Sequence, residues 1–460
     1  MTTRAWALLF AALFALGVVG CGGHEARTLK LRSALDEGSP RRAIAAINEE
    51  LDVKSDKDYP KSVVGDDALL VLDRASVQQS LAQFALSKSD FEVADKAIDM
   101  LDLAHNAGDS IGQYVFSDSA GKYQAPPYEK LLVNTLNMLN YLELADVSGA
   151  LVEARRLAVM HRYVRDELKE PDNAILALGS LLAGFAYERS GDVDDALHYY
   201  DDALRFGPFE AARVGAARLL PRGSYRSPRL DKLAPRPPEA PPEAPTEAPP
   251  APAPEPAGAD VLLVVGHGRV PHKIAQRIPI GLALTLVASD ISPHDHRLAT
   301  DLAAQGLVTW VNFPTLAPGQ GEYATPACRV DGQYVQVEEI VDVAREVRAE
   351  WKKIEGKVIL SAITRLIARV AAGQGVRAAA GRDNAAIGIL ASLAVQGTLT
   401  ALDTPDTRSW ETLPARVVVK RLRLPPGRHA ITLEARGYRR EQVIDAKSGG
   451  FAVVSLMALR

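Results

Sequence analysis

The chain has 460 residues, 47% of them hydrophobic and 24% charged, with a formal net charge of −4. That balance belongs to a globular protein long enough for two or three domains, and it lacks the basic excess of a nucleic-acid binder. Two cysteines in so long a chain exclude a disulfide scaffold.

Read from the start, a single cation at Arg4 precedes an apolar run from Ala5 to Val19 and then small residues. This pattern predicts a secretory signal peptide over residues 1–20, because the run is too short and too abruptly ended for a membrane span. Val18-Val19-Gly20-Cys21 resembles the lipobox of bacterial lipoproteins. The resemblance implies that Cys21 becomes the first mature residue, carries a diacylglycerol on its sulfur and holds three acyl chains, palmitate among them. At about 0.8 kcal/mol per buried CH₂, several chains hold a protein to a bilayer almost permanently. Gly22, where an Asp would signal inner-membrane retention, points to the outer membrane and a periplasm-facing body.

From residue 21 to 232 apolar residues recur at i, i+3, i+4 and i+7 with regular breaks, which predicts amphipathic helices. In "ALGSLLAGFAYERSGDVDDALHYYDDALRFGPFE", Gly184, Tyr187, Ala196, Tyr200, Ala203 and Pro208 fall at the spacings of a tetratricopeptide repeat. Gly184 and Ala196 are expected to face each other at the closest crossing of the two helices, Tyr187 and Tyr200 to fill the flanks, and Pro208 to end the second helix. Degenerate units in phase with it place Tyr141, Ala150, Ala154 and Leu157, then Ala94, Ile98 and Leu101, then Ala43 and Ile47 at matching offsets. Insertions separate the units, the largest running from Ser110 to Glu129.

Stacked helix pairs form a solenoid whose concave face binds extended protein segments. Asn134, Asn137, Asn140 and Tyr141 fall on one helical face and are the candidate partner-binding residues.

Residues 233–259 read as a linker, because proline fixes φ and withholds its N–H, so "APRPPEAPPEAPTEAPPAPAPEPAGA" extends as polyproline II. Residues 260–460 read as a mixed region. "DVLLVVGHGRVP" predicts a buried strand, "GLVTWVNFP" another, and "CRVDGQYVQV" a hairpin turning at Asp331-Gly332. Helices are expected over 338–355 and 357–372, and a buried or amphipathic one over Ala385 to Leu402. The C-terminal "ARVVVKRLRLPPGRHAITLEARGY" predicts two alternating strands joined at Pro425-Pro426-Gly427, in a small β domain. The fold class expected is therefore α+β and multidomain: an α-solenoid of tetratricopeptide-like hairpins, a proline-rich linker and a mixed α/β region.

No catalytic constellation is legible. His267, His272, His294 and His296 lie close in sequence and suggest a metal-binding or enzymatic alternative. They lack the fixed helical spacing of a zinc protease and are read chiefly as surface or loop residues, so no metal and no cofactor is expected. "GHG" lacks the Lys and Ser/Thr of a phosphate loop, no nucleophile elbow is present, and Cys328 reads as a buried thiol.

Taken with the lipobox and the repeats, "PYEKLLVNTLNMLNYLELADVSGALVEARR", "GRVPHKIAQRIPI" and "DTRSWETLPARVVVKRLRLPPG" resemble a family of uncharacterised bacterial outer-membrane lipoproteins with tetratricopeptide-like repeats. The markers are Tyr128, Glu129, Asn134, Glu153, Ala154 and Arg155, then Asp406, Thr407, Arg408, Ser409, Trp410, Leu413 and Pro414. The resemblance implies a lipid-anchored, periplasm-facing envelope protein and leaves its biochemical role open; with no catalytic constellation in the sequence, an enzyme is not expected. The expectation is a scaffold or adaptor that holds outer-membrane lipid through Cys21 and a periplasmic protein through its repeats, in cell-wall or surface-polymer assembly. The stretch around Trp410 reads as a docking surface or as a buried Trp beside an Asp–Arg pair.

Overall fold

The computed structural model describes residues 23–97, 123, 125–233, 258–304, 310–319, 324–379 and 405–460. Cys21 with the signal peptide, most of the proline-rich segment, most of the Ser110 insertion, Ile98, Leu101 and the stretch from Ala385 to Leu402 lie outside the described residues. The fold is α+β.

The N-terminal half is helical: α1 (His24–Arg27), α2 (Leu29–Asp36), α3 (Pro40–Glu50), α4 (Asp66–Ser80), α5 (Phe84–Ala97), α6 (Pro127–Glu143), α7 (Val147–Asp166), α8 (Leu176–Ser190), α9 (Val193–Ala203), α10 (Glu210–Leu219) and α11 (Pro228–Leu233). Four pairs, α2/α3, α4/α5, α6/α7 and α8/α9, pack across tight turns. Each turn reverses at one residue with positive φ: Gly38, Ala82, Ala145 and Gly191. Left-handed backbone exposes the last helical carbonyls to new partners and so ends a helix, cheaply for Gly and at some cost for Ala. Ala43, Ala94, Ala150 and Ala196, the small residues read in phase from the sequence, are all fully buried in second helices.

The C-terminal half adds β1 (Ala259–Arg269), β2 (Lys273–Pro279), α12 (Ile280–Leu286), α13 (Pro293–Ala304), β3 (Trp310–Leu316), β4 (Ala327–Val330), β5 (Gln333–Val335), β6 (Glu338–Asp342), α14 (Val343–Ala379), β7 (Pro414–Leu424), β8 (Gly427–Ala435), β9 (Tyr438–Ala446) and β10 (Phe451–Ala458). A first sheet has strand order β10-β1-β7-β6, a second β5-β4-β8-β9, and β2 pairs with β3 as a separate ribbon. Asp331 and Gly332, both at positive φ, turn the β4–β5 hairpin.

Two expectations need correction. Residues 338–342 form strand β6, and the two expected helices are the single helix α14. Nothing between them breaks the helical ladder, since Gly356 lacks only a side chain and keeps its N–H. The strands flanking Pro425-Pro426-Gly427 do not pair with each other: β7 belongs to the first sheet and β8 to the second. Neither proline can donate to a ladder, so the chain leaves one layer there and enters the other, with Gly427 at φ 141° making the corner.

Strand β1 is buried along its whole length, which its unbroken apolar run anticipates. Val261, Leu263 and Val265 face the second sheet, against Cys328, Ile431 and Leu433. Leu262 and Val264 face the helices, in the same core as Leu69, Leu139 and Leu182. Outer helices, inner helices, first sheet and second sheet therefore stack as successive layers, and the first core runs through both halves of the chain.

The inner helices are buried continuously: α4 from Ala68 to Gln79, α6 from Tyr128 to Asn140 and α8 from Leu176 to Glu188. A helix covered on all sides must satisfy its polar side chains internally.

Candidate functional site

One set of residues that joins the layers lies in the stretch from Pro405 to Leu413, just before β7, which turns at Glu411-Thr412. Its Trp410 is completely buried, packs edge-on to Phe91 at 5.8 Å between ring centroids, and donates its indole N–H to Ser76 Oγ at 3.1 Å. The backbone of the stretch is held by carboxylates from inner helices. Trp410 N–H donates to Glu129 Oε1 at 3.0 Å; Thr412 donates to Asp73 Oδ1 through its N–H at 3.1 Å and its hydroxyl at 2.7 Å. Glu411 accepts from Arg32 Nη1 at 2.8 Å, and Arg408 forks onto Asp406 at 2.8 Å through both Nε and Nη2. At its start, Thr407 Oγ1 accepts the N–H of Glu25 at 3.1 Å, tying in helix α1.

This is how a helical-repeat surface holds an extended peptide, by side chains reaching its backbone and a pocket taking its large side chain. Here the peptide belongs to the same chain.

Burial governs the electrostatics. It raises the carboxyl of Asp73 well above the usual range, with neighbouring Glu411 adding to the rise and Thr412 opposing it. The carboxyl of Glu129 rises for the same reason, against the hydrogen bond from Trp410. Glu411 is pushed up to about 7 by burial, with Arg32 opposing. Burial also drives His24 down to about 3 and His272 down to about 4, with cations next in effect, Arg27 at His24 and Arg32 at His272, so both rings are neutral at pH 7.

Glu411 also lines a cavity of about 30 Å³ with Arg269, Val270, Pro271, His272, Pro318 and Gly319. That is room for a water or two.

A raised carboxyl means that the folded chain keeps a proton which the unfolded chain has already released. Stability from Glu411 is therefore complete below the ordinary carboxylate range and lost as pH rises toward 7. The expected result is a denaturation midpoint that falls between pH 5 and pH 8, with Glu411 contributing on the order of 3 kcal/mol. Glu411→Gln should flatten that decline; an equally steep profile in the variant would contradict the assignment.

A second polar cluster joins the first sheet to α8, α9 and α10. Arg421 of β7 donates to Asp260 Oδ1 at 3.0 Å, to the Tyr200 hydroxyl at 2.8 Å and to Glu188 Oε2 at 2.6 Å. Arg218 bonds both carboxylates, and Arg189 reaches Glu188 at 2.8 Å. Burial raises the carboxyls of Asp260 and Glu188, but Arg421, then Arg218, outweigh it and hold both below the usual range.

The candidate partner-binding residues are placed elsewhere than expected. Asn134 and Asn137 donate to Glu153 at 2.9 and 3.2 Å; Asn140 donates to Ser87 at 2.9 Å and accepts from Gln79 at 2.8 Å. All three are buried. Tyr141 donates to Glu92 at 2.6 Å and packs its ring on Gly149. These residues tie α6 to α4, α5 and α7. The three asparagines are closed to a ligand by the helices packed around α6, whereas Tyr141 stays partly exposed.

Of the repeat-packing residues, Gly184 meets the ring of Tyr200 rather than Ala196: a Cβ at Gly184 would lie 2.6 Å from Tyr200 Cδ1. Tyr187 stacks on Tyr199 at 5.2 Å; Ala196, Tyr200 and Ala203 are buried, and Pro208 lies between α9 and α10. Cys328 is buried in the sandwich, where burial pushes its thiol up to about 11.

The four histidines do not assemble a site. His267 is buried in β1, His272 lines the small cavity, and His294 and His296 are exposed on α13. Among the described residues no three His, Cys, Asp or Glu side chains are placed to hold a metal ion.

Sequence reasoning missed Arg32, Asp73, Glu188, Asp260, Glu411 and Arg421. Asp73, with Arg74, shows as charge inside an otherwise apolar window in "ALLVLDRASV", whereas Arg421 is one of four cations in "ARVVVKRLRL" and has no such signal. The chain matches no family model, no curated protein and no solved structure.

Proposed function

We propose that this chain is a lipid-anchored scaffold or adaptor of the bacterial cell envelope, tethered to the outer membrane through Cys21 and binding a periplasmic protein in cell-wall or surface-polymer assembly. The observation that carries the reading is how soon after Cys21 the body begins. His24 is buried, and the N–H of Glu25 is held by Thr407. The three steps of chain from Cys21 to His24 span at most about 11 Å, so an acyl group on Cys21 would lie close to the folded body.

The inner helical face is filled by the chain's own sheet and by the stretch around Trp410, so a partner has the outer helices to use. Helix α7 turns Val152, Arg155, Val159 and Arg162 to solvent in steps of three and four, an apolar and basic stripe suited to a protein contact.

The test is photo-crosslinking in intact cells. A crosslinker at Val152 or Val159 should yield one discrete adduct and a crosslinker at buried Asn137 none; Cys21→Ser should release the chain from the membrane fraction. Absence of an adduct at either valine in every growth phase would end the scaffold reading.

A further inference from the structure

We infer that the β2–β3 ribbon and helix α12 form a membrane-contact surface that lies on the phospholipid bilayer beside the acylated cysteine. The inference rests on the anchor at Cys21 proposed above and adds the part of the protein that meets lipid.

The ribbon and α12 pack onto α13 and α14 through a small core of their own, including Ile278, Leu284, Phe313 and Ile363. Their opposite side is apolar and exposed. Leu282 and Leu286, one helical turn apart on α12, are 50% and 53% exposed, and Trp310 is 43% exposed. Trp310 pairs with Pro279, the residue before α12, so all three belong to one end of the ribbon. Arg277 lies over the Trp310 ring at 5.4 Å. From Lys273 to Leu286 and from Trp310 to Leu316 the only charged residues are Lys273 and Arg277.

Leucines one turn apart, an indole at their edge and the exposed Arg277 cation over that indole are the chemistry that anionic phospholipid takes up. Acyl chains receive the leucines, the interface receives the Trp, and a phosphate receives Arg277.

Position favours the bilayer over a protein as the occupant. The N–H of Ala275 in β2 donates to the Glu25 carboxylate at 2.8 Å, so the ribbon starts beside a residue four positions from Cys21. Four residues of strand, at about 3.3 Å each, carry it from Ala275 to Pro279 and its partner Trp310. A surface so near a lipid attachment meets the bilayer at high effective concentration whenever the anchor is inserted.

The test uses the full acylated chain in vesicles of phosphatidylcholine and phosphatidylglycerol whose acyl chains carry bromine, a quencher of tryptophan emission. The expected result is flotation with the vesicles, loss of most of the Trp310 emission, and disappearance of the quenchable component in Trp310→Phe. The double variant L282S/L286S should float equally well with Trp310 largely unquenched. A chain that floats while its own Trp310 stays unquenched overturns the contact surface and leaves the anchor standing. A chain that does not float, or a Cys21→Ser chain that floats as well as the parent, overturns the anchor and the inference built on it.

Discussion

Trp410→Ala is expected to cost about 3–5 kcal/mol and to lower the unfolding midpoint of the helices and of the sheets together. Trp410 is wholly buried, its ring packs against Phe91 of α5, and its N–H is held by Ser76 of α4. Removal leaves a cavity walled by continuously buried helices that cannot move in to fill it. It also leaves the Ser76 hydroxyl without its donor. The joint effect follows because Trp410 and Leu262 belong to the same core as the inner helices. The measurement is denaturation followed by far-ultraviolet circular dichroism for the helices and by hydrogen exchange at strand β1. A loss below about 1 kcal/mol, or separate transitions for the two probes, would show that the halves are independent.

Arg421→Met should cost on the order of 3 kcal/mol at neutral pH, although methionine is the more apolar side chain. Asp260 and Glu188 stay behind, buried, with Arg218 and Arg189 in place but without the fork that engages both carboxylates and Tyr200. A carboxylate that loses its centred cation keeps its full burial penalty, and this outweighs the packing gained. Arg421→Lys keeps the charge and loses the fork, so an intermediate loss is expected.

The pH dependence has a definite sign. Both carboxyls are depressed in the folded chain, so their contribution is complete above the ordinary carboxylate range, about pH 4, and is lost as pH falls through the lower folded values. This is opposite in sign to Glu411, and it acts at more acid pH. In Arg421→Met the acid-side loss should shrink, because the main partner holding the carboxyls down is gone. Equal neutral-pH stability of the variant and its parent would refute a supporting role for the cluster.

Much of the local structure was legible in the chain. Strand β1 showed as an unbroken apolar run, the β4–β5 turn as Asp331-Gly332, and the in-phase Ala43, Ala94, Ala150 and Ala196 as small residues that prove fully buried. Each depends on neighbours a few residues away, where propensity and periodicity act. The asparagines of α6 were misplaced because their spacing identifies a helical face without identifying what covers it. Asn134 and Asn137 are glued to Glu153 of the next helix, and Asn140 to Ser87 and Gln79 of earlier ones. The end of β7 was misread for a related reason: alternation marks two strands but does not say whether the proline pair between them closes a hairpin or a corner.

The sequence by itself determined the helical character of the N-terminal half, the small residues of its second helices, strand β1 and the Asp331-Gly332 turn. Only the tertiary structure decided that the first sheet lies on the inner helices, that Trp410 fills the place a foreign peptide would take, and that Arg421 meets Glu188 across 233 residues of chain. The physical reason is range. Backbone preference and side-chain periodicity act over a turn or two, whereas pairing distant buried charges and joining two apolar faces depends on how far each surface must be withdrawn from water, and that quantity exists only once the layers have met.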